Sequence, residues 1–116
     1  MTAPIGSRNQ VNFYSLVDSP LENPFYDQHI QFRNYLQRNE PVAATQLLIN
    51  DESFRTYLLD SDLTLVVHAF NAAIQANNFS LPIIFLSNHK DEIIKSVIPN
   101  LPPKEQEIAL TMSRLL

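Results

Sequence analysis

The clearest pattern along the chain is a stripe of apolar residues at helical spacing. It begins near Asp27, where Ile30, Phe32, Tyr35 and Leu36 fall three to four residues apart among polar neighbours. The same spacing returns in residues 43–48, 54–59, 65–74, 81–85, 93–98 and 108–115. The pattern predicts an all-α fold built from short amphipathic helices.

The predicted helix boundaries are set by Asn and Pro rather than by Gly. Asn39 ends the first helix, and Pro41 starts the next, because its missing N–H costs nothing at the first helical position. A longer helix is predicted over residues 63–76, and Ser80 is predicted as the N-cap of its successor. The only glycine is Gly6, so we expect Asn to adopt the left-handed conformation that ends many helices.

The beginning of the chain lacks the helical pattern. Residues 1–24 contain three prolines and the only glycine, and they are predicted to form an irregular or disordered leader. Residues 25–116 are predicted to form the helical domain. Tyr14, Phe25 and Tyr26 are the aromatic residues that we expect to anchor the leader, either by covering the first helices or by contacting a partner.

An internal repeat appears when the sequence is shifted by 38 residues. The shift aligns identical residues in five pairs: Phe32 with Phe70, Gln37 with Gln75, Asn39 with Asn77, Leu48 with Leu86, and Asn50 with Asn88. The repeated unit is a helix, a turn containing Asn, a second helix and a short third segment. Because one helix pair cannot bury both apolar faces, we expect the units to stack into a short α-solenoid of helix–turn–helix repeats.

The second unit, residues 62–86, resembles an ankyrin repeat. The sequences Ala-Ala-Ile, Asn-Asn-Phe and Ile-Ile-Phe-Leu at residues 72–74, 77–79 and 83–86 are similar to that family's inner helix, turn and outer helix. The chain departs from the family in its 38-residue period, in the absence of Thr-Pro-Leu-His, and in having Asn77 or Asn78 in place of the turn glycine. The resemblance implies stacked helix pairs that bind proteins, and a generic α-solenoid is the alternative.

Composition and charge narrow the classes of partner. The net charge is −4 and the eight basic residues are scattered, which argues against nucleic acid and against an anionic membrane surface. No segment reaches the roughly 20 apolar residues of a membrane-spanning helix, so membrane insertion is not expected. The sequence has no cysteine, and we expect a cytoplasmic protein, of the producing cell or of a host cell.

The ionisable residues indicate no catalytic or metal site. His29 is expected on the surface near a helix start, and His68 is expected to be partly buried in an apolar helix. His89 and Glu92 supply two ligands, fewer than the three or four that Zn²⁺ requires. The acidic residues are expected to cap helices, and they cluster at Asp51–Glu52, Asp60, Asp62 and Asp91–Glu92. We therefore predict no catalytic residue, no metal and no cofactor.

The function predicted from the sequence is non-catalytic binding of another protein through the face of stacked helical repeats. The predicted partner-binding residues are polar positions on the first helix of each unit and its turn: Arg33, Gln37, Arg38, Asn71, Gln75 and Asn78. Gln37 and Gln75 recur at the same place in the repeat, so we expect them to lie side by side.

An alternative function follows from the end of the chain. The 38-residue offset places Leu101 in register with Leu63, so a third unit begins and ends on Leu115 and Leu116 without a polar cap. The last helix is then either a final cap or the start of a longer array. In the second case the chain is a regulatory or targeting domain of a larger enzyme, for example an effector of a bacterial pathogen.

Overall fold

A computed structural model describes residues 23–116. This part of the chain contains helices and turns and no strand, which confirms the all-α prediction for it. The six α-helices are α1 (Tyr26–Gln37), α2 (Pro41–Gln46), α3 (Glu52–Ser61), α4 (Leu63–Gln75), α5 (Ser80–Glu92) and α6 (Pro103–Leu115). A π-helical turn, Ile93–Val97, and a 3₁₀ turn, Ile98–Asn100, connect α5 to α6.

Acidic side chains start two of the helices, as predicted. Asp51 Oδ1 accepts a hydrogen bond from the Phe54 backbone N–H at 3.1 Å, and Asp62 Oδ1 accepts one from Leu65 at 3.3 Å. Each carboxylate thereby satisfies an N–H group that has no partner within its helix. The prediction for Ser80 is wrong, because Ser80 is the first residue of α5 and its side chain makes no cap.

Three asparagines adopt the left-handed conformation that the shortage of glycine predicts. The φ angles of Asn39, Asn50 and Asn77 are 58°, 61° and 58°. Asn tolerates this region better than most residues with a Cβ atom, because its short amide can form local hydrogen bonds. Asn39 and Asn77 directly follow the C-caps of α1 and α4 and reverse the chain there.

The turns after α1 and α4 have the same hydrogen bonds. The Asn39 N–H donates to the Leu36 carbonyl at 3.0 Å, and the Glu40 N–H donates to the Tyr35 carbonyl at 2.8 Å, as in a Schellman motif. The corresponding bonds after α4, 38 residues later, are 3.0 and 2.8 Å long. The aligned Asn39 and Asn77 therefore occupy equivalent turns.

The two units differ beyond these turns. Helix α2 has 6 residues, whereas α5 has 13, so Asn88 lies inside α5 and is not equivalent to Asn50. The regular part of α5 ends after Asn88, because His89 has non-helical φ and ψ angles of −137° and 39° and kinks the chain before it continues to Glu92. The ankyrin-like stacking stays a prediction.

Helix α4 lies at the centre of the fold. It contacts all five other α-helices and the π-helical turn. Its buried residues are Leu65, Val66, Ala69, Phe70, Ala73 and Ile74. The Phe70 ring packs against Phe85 of α5 with centroids 5.8 Å apart. Within residues 23–116, no helix combines the length and the apolar character needed to cross a membrane.

We predict that replacing Asn77 with Ala lowers the free energy of unfolding by about 1 kcal/mol, because a Cβ atom without a compensating amide is disfavoured at positive φ. Asn77→Gly should leave the stability unchanged or raise it, since Gly adopts this conformation freely. Urea denaturation checks both variants. Equal stability of the Ala and Gly variants would contradict the left-handed turn.

Candidate functional site

Two of the six predicted partner-binding residues lie in one groove. Arg33 and Gln37 of α1 face α4 across a cavity of about 400 Å³. The groove is lined by Arg33, Gln37, Asp62, Thr64, Leu65 and His68. Arg33 is partly exposed, and its Nη2 atom lies 3.9 Å from the Asp62 carboxylate. This polar groove is the part of the predicted binding face that the structure brings together.

The other four predicted residues lie outside this groove. Arg38 pairs with Glu40 at 3.4 Å and sits over the Tyr35 ring. On α4, the Gln75 amide donates to Asn71 Oδ1 at 3.3 Å. Asn78 Oδ1 accepts the Ser80 N–H at 3.2 Å, so its side chain supports the start of α5. A role of these residues in binding stays a prediction, as does the pairing of Gln37 with Gln75.

A buried histidine connects three helices. His29 of α1 is fully buried, with Nδ1 2.8 Å from the Tyr57 hydroxyl and Nε2 2.8 Å from Asp62 Oδ2. A carboxylate only accepts hydrogen bonds, so Nε2–H donates to Asp62. In the neutral imidazole, Nδ1 then accepts from the Tyr57 hydroxyl, whose oxygen in turn accepts from the Asn23 amide at 2.8 Å. The network joins α1, α3 and the N-cap of α4.

The predictions for His29 and His68 are both wrong. His29 lies on the inward face of α1 with Phe32 and Leu36, and their spacing of three and then four residues is the sequence signal for that face. His68 is exposed, in line with Thr64 and Asn71 on the polar stripe of α4. Whether a histidine on a helix is buried depends on the helix face that it occupies. Burial of the imidazole is tolerated where hydrogen-bond partners are within reach.

The network around His29 has no route to a substrate, because the imidazole has no exposed surface. Its hydrogen bonds hold helices together and extend to the described end of the predicted leader, where Asn23 is buried. Phe25 covers the same region, with its ring 4.8 Å from that of Tyr57. Tyr26, the second expected anchor, is the first residue of α1 and is partly exposed, and Tyr14 lies outside the described residues. Residues 23–116 contain no group of three His, Asp or Glu side chains that could hold a metal ion.

Another candidate surface is formed by α2, the turn before α5, the start of α5 and α6. Of the six predicted partner-binding residues, Asn78 alone lines it. Large apolar side chains are exposed there: Val42 by 63%, Ile49 by 43%, Phe79 by 38% and Ile83 by 40%. Three adjoining cavities connect them, because Phe79, Ile49 and Ile83 each line two of the three. We call the surface formed by Val42, Ile49, Phe79, Ile83, Ile108 and Met112 the outer apolar surface.

The most apolar part of this surface is a groove of about 540 Å³ between the start of α5 and α6. Ile108 and Met112 line it from α6, with Lys104 and Glu107 beside them. Helix α6 turns its smaller and polar residues inward, namely Glu105, Ala109 and Ser113. The apolar stripe predicted on α6 is therefore only half-buried, and it borders the groove instead of filling the core.

A buried arginine lies at the edge of the outer apolar surface. Arg55 of α3 is only 6% exposed, and its Nη1 donates to the Leu48 carbonyl at 2.6 Å. It lines a cavity of about 590 Å³ together with Ile49 and Ile83. No sequence pattern indicates the burial of Arg55, because a lone basic residue on a short helix is ordinarily solvated.

Comparison with known proteins adds no assignment for this site. The chain matches no protein-family model, no characterised protein and no solved structure.

We predict that Tyr57→Phe lowers the free energy of unfolding by about 1–3 kcal/mol, because the loss of the hydroxyl removes the hydrogen-bond partner of His29 Nδ1 and of the Asn23 amide. Tyr35→Phe is the matched control, since it removes a hydroxyl from a half-buried ring outside the network. Urea denaturation measures both. If the two variants lose the same stability, the network does not hold the helices together.

Proposed function

We propose that this chain is a non-catalytic protein–protein interaction module that binds a segment of another protein on its outer apolar surface. The observation that carries the proposal is the continuous exposure of Val42, Ile49, Phe79 and Ile83 along three adjoining cavities. Exposed apolar patches that extend beyond single side chains are characteristic of interaction sites. Burial of this surface by a partner supplies the driving force for association.

The shape of the surface fits an amphipathic helical segment. The groove between α5 and α6 offers apolar walls, Phe79 and Ile83 on one side and Ile108 and Met112 on the other. A helix that presents apolar residues three to four positions apart fills such a groove. The charged Lys104 and Glu107 at the same groove supply polar contacts at the rim, where they set the register of the segment.

The local charge favours a partner segment with an acidic group over a second copy of the chain. Arg55, Lys104 and Glu107 are the charged residues that line the three cavities, so this surface carries a local excess of one positive charge. The whole chain has a net charge of −4. A second copy would bring the same local positive charge to the interface, whereas a segment containing Asp or Glu complements it.

The polar groove between α1 and α4 is the second candidate surface. It contains Arg33 and Gln37, and it corresponds to the face that the ankyrin-like arrangement assigns to partner binding. The equivalent turns at Asn39 and Asn77 support our proposal that the two units form a short α-solenoid. We rank this groove second because its lining is mostly polar and its Asp62 carboxylate already contacts His29 and Arg33.

Peptide selection followed by affinity measurement tests the proposal. Helical peptides are selected from a displayed library on the immobilised protein, and each is then measured by fluorescence polarisation. We expect amphipathic peptides whose affinity falls about tenfold or more in Ile83→Glu, because the substitution places a charge in the apolar contact. The matched control is the double variant Gln37→Ala/Gln75→Ala, which alters the polar face and should retain full affinity.

Other results would contradict the proposal. A selection that yields no peptide sensitive to Ile83→Glu would remove the outer apolar surface as a binding site. Loss of affinity in the Gln37/Gln75 double variant alone would assign binding to the α1–α4 face. Sedimentation of the unliganded protein tests the remaining occupants: a dimer abolished by Ile83→Glu would assign the surface to a second copy. Peptide binding that appears only after deletion of residues 1–22 would assign it to that segment.

A further inference from the structure

The guanidinium of Arg55 is buried without a counter-ion. Among the described residues, no carboxylate oxygen lies within 4.0 Å of it. Its Nε atom is buried and has no hydrogen-bond partner within residues 23–116. Arginine keeps its charge in proteins and carries five N–H donors, so the single bond to the Leu48 carbonyl leaves most of its capacity unused. A buried charge in this condition is unfavourable unless a ligand completes it.

The free part of Arg55 has the geometry for a carboxylate. Since Nη1 is occupied by Leu48, the edge formed by Nε and Nη2 is bonded to none of the described residues. Nε is closed to solvent, so Nη2 is the nitrogen of this edge that a ligand in the cavity reaches first. A carboxylate therefore accepts a charge-assisted hydrogen bond from Nη2, and a shift of the side chain on binding brings Nε to its second oxygen.

The cavity beside Arg55 indicates what else the ligand carries. Its walls combine the apolar Ile49, Ile83 and Ile84 with the polar Asn50 and Ser80. None of the other lining residues is charged, so Arg55 is the only cation in it. One guanidinium matches a single negative charge, whereas a phosphate group with nearly two charges is usually held by several cations.

We propose that Arg55 binds a carboxylate of the partner segment, next to an apolar side chain that enters the cavity beside Ile49 and Ile83. The inference rests on the proposed function, because the same cavity adjoins the groove between α5 and α6 through Ile83. The carboxylate comes either from an Asp or Glu side chain or from a chain terminus. Arg55 therefore sets the specificity of the outer apolar surface for acidic segments.

The test compares probes that differ by one charge. Acetyl-Leu-Ile-Glu-Leu-Leu-amide and its Glu→Gln counterpart are titrated into the full chain and followed by ¹H–¹⁵N NMR. We expect the Glu peptide to bind about tenfold more tightly, which is the usual effect of a charge-assisted hydrogen bond. Acetyl-Leu-Ile-Leu-Leu with a free or an amidated C-terminus distinguishes a terminal carboxylate from a side chain.

Variants of the protein assign this preference to Arg55. In Arg55→Gln the Glu and Gln peptides should bind equally, and Arg55→Lys should keep only part of the preference because it retains the charge and loses the planar fork. Arg33→Gln, which removes an arginine from the polar groove, should keep the full preference. Thermal unfolding of each variant checks the fold, and equal binding of the two peptides to the wild type overturns the inference even if Arg55→Gln does not fold.

Several outcomes would overturn the inference. Equal binding of the Glu and Gln peptides to the wild type, when both are lost in Ile83→Glu, removes the role of Arg55 and leaves the proposed function standing. Absence of binding by every probe counts against the proposed function as well. A preference for Glu that survives Arg55→Gln places the carboxylate elsewhere. Displacement of the Glu peptide by inorganic phosphate at lower concentration than by acetate assigns the cavity to phosphate.

Discussion

The burial of helix α4 is the constraint on which the rest of the structure depends. Six of its thirteen residues are buried apolar side chains, and its only continuous polar stripe contains Thr64, His68 and Asn71. Each large apolar side chain removed from water contributes about 1.5–3 kcal/mol, so the helix is stable only when other helices cover nearly all of it. The five remaining helices all contact α4, and the turns at Asn39 and Asn77 return the chain to it.

The packing of the other helices against α4 determines which of their side chains remain exposed. Helices α2, α5 and α6 each turn one side towards the core, and α6 satisfies this contact with Ala109 and Ser113, so its larger apolar residues border the groove towards α5. On the α1 side, the hydrogen bonds of His29 join the helices. The imidazole tolerates full burial because both of its ring nitrogens have partners. The polar network therefore stabilises the fold. The outer apolar surface consists of apolar residues that are not needed to cover α4.

The sequence predicts the parts of this structure that local chemistry decides. Helix starts at Asp51, Asp62 and Pro41 follow from capping and from the missing proline N–H, and the left-handed turns follow from Asn in a chain with one glycine. Features that depend on tertiary contacts were missed. His29 looked like a surface residue because its partners, Tyr57 and Asp62, are about 30 residues away, and the burial of Arg55 depends on helices distant in sequence. The candidate site is of this second kind, because a groove between two helices has no sequence motif.

The central claim is that partners bind the outer apolar surface, and methyl chemical-shift mapping tests it most directly. The methyl groups of Ile, Leu, Val, Met, Ala and Thr are labelled, and a selected helical peptide is added to saturation. The account predicts shift changes, and contacts to the peptide, at Ile83, Ile108 and Met112. Changes confined to Thr64 and Leu65, which line the polar groove between α1 and α4, would contradict it.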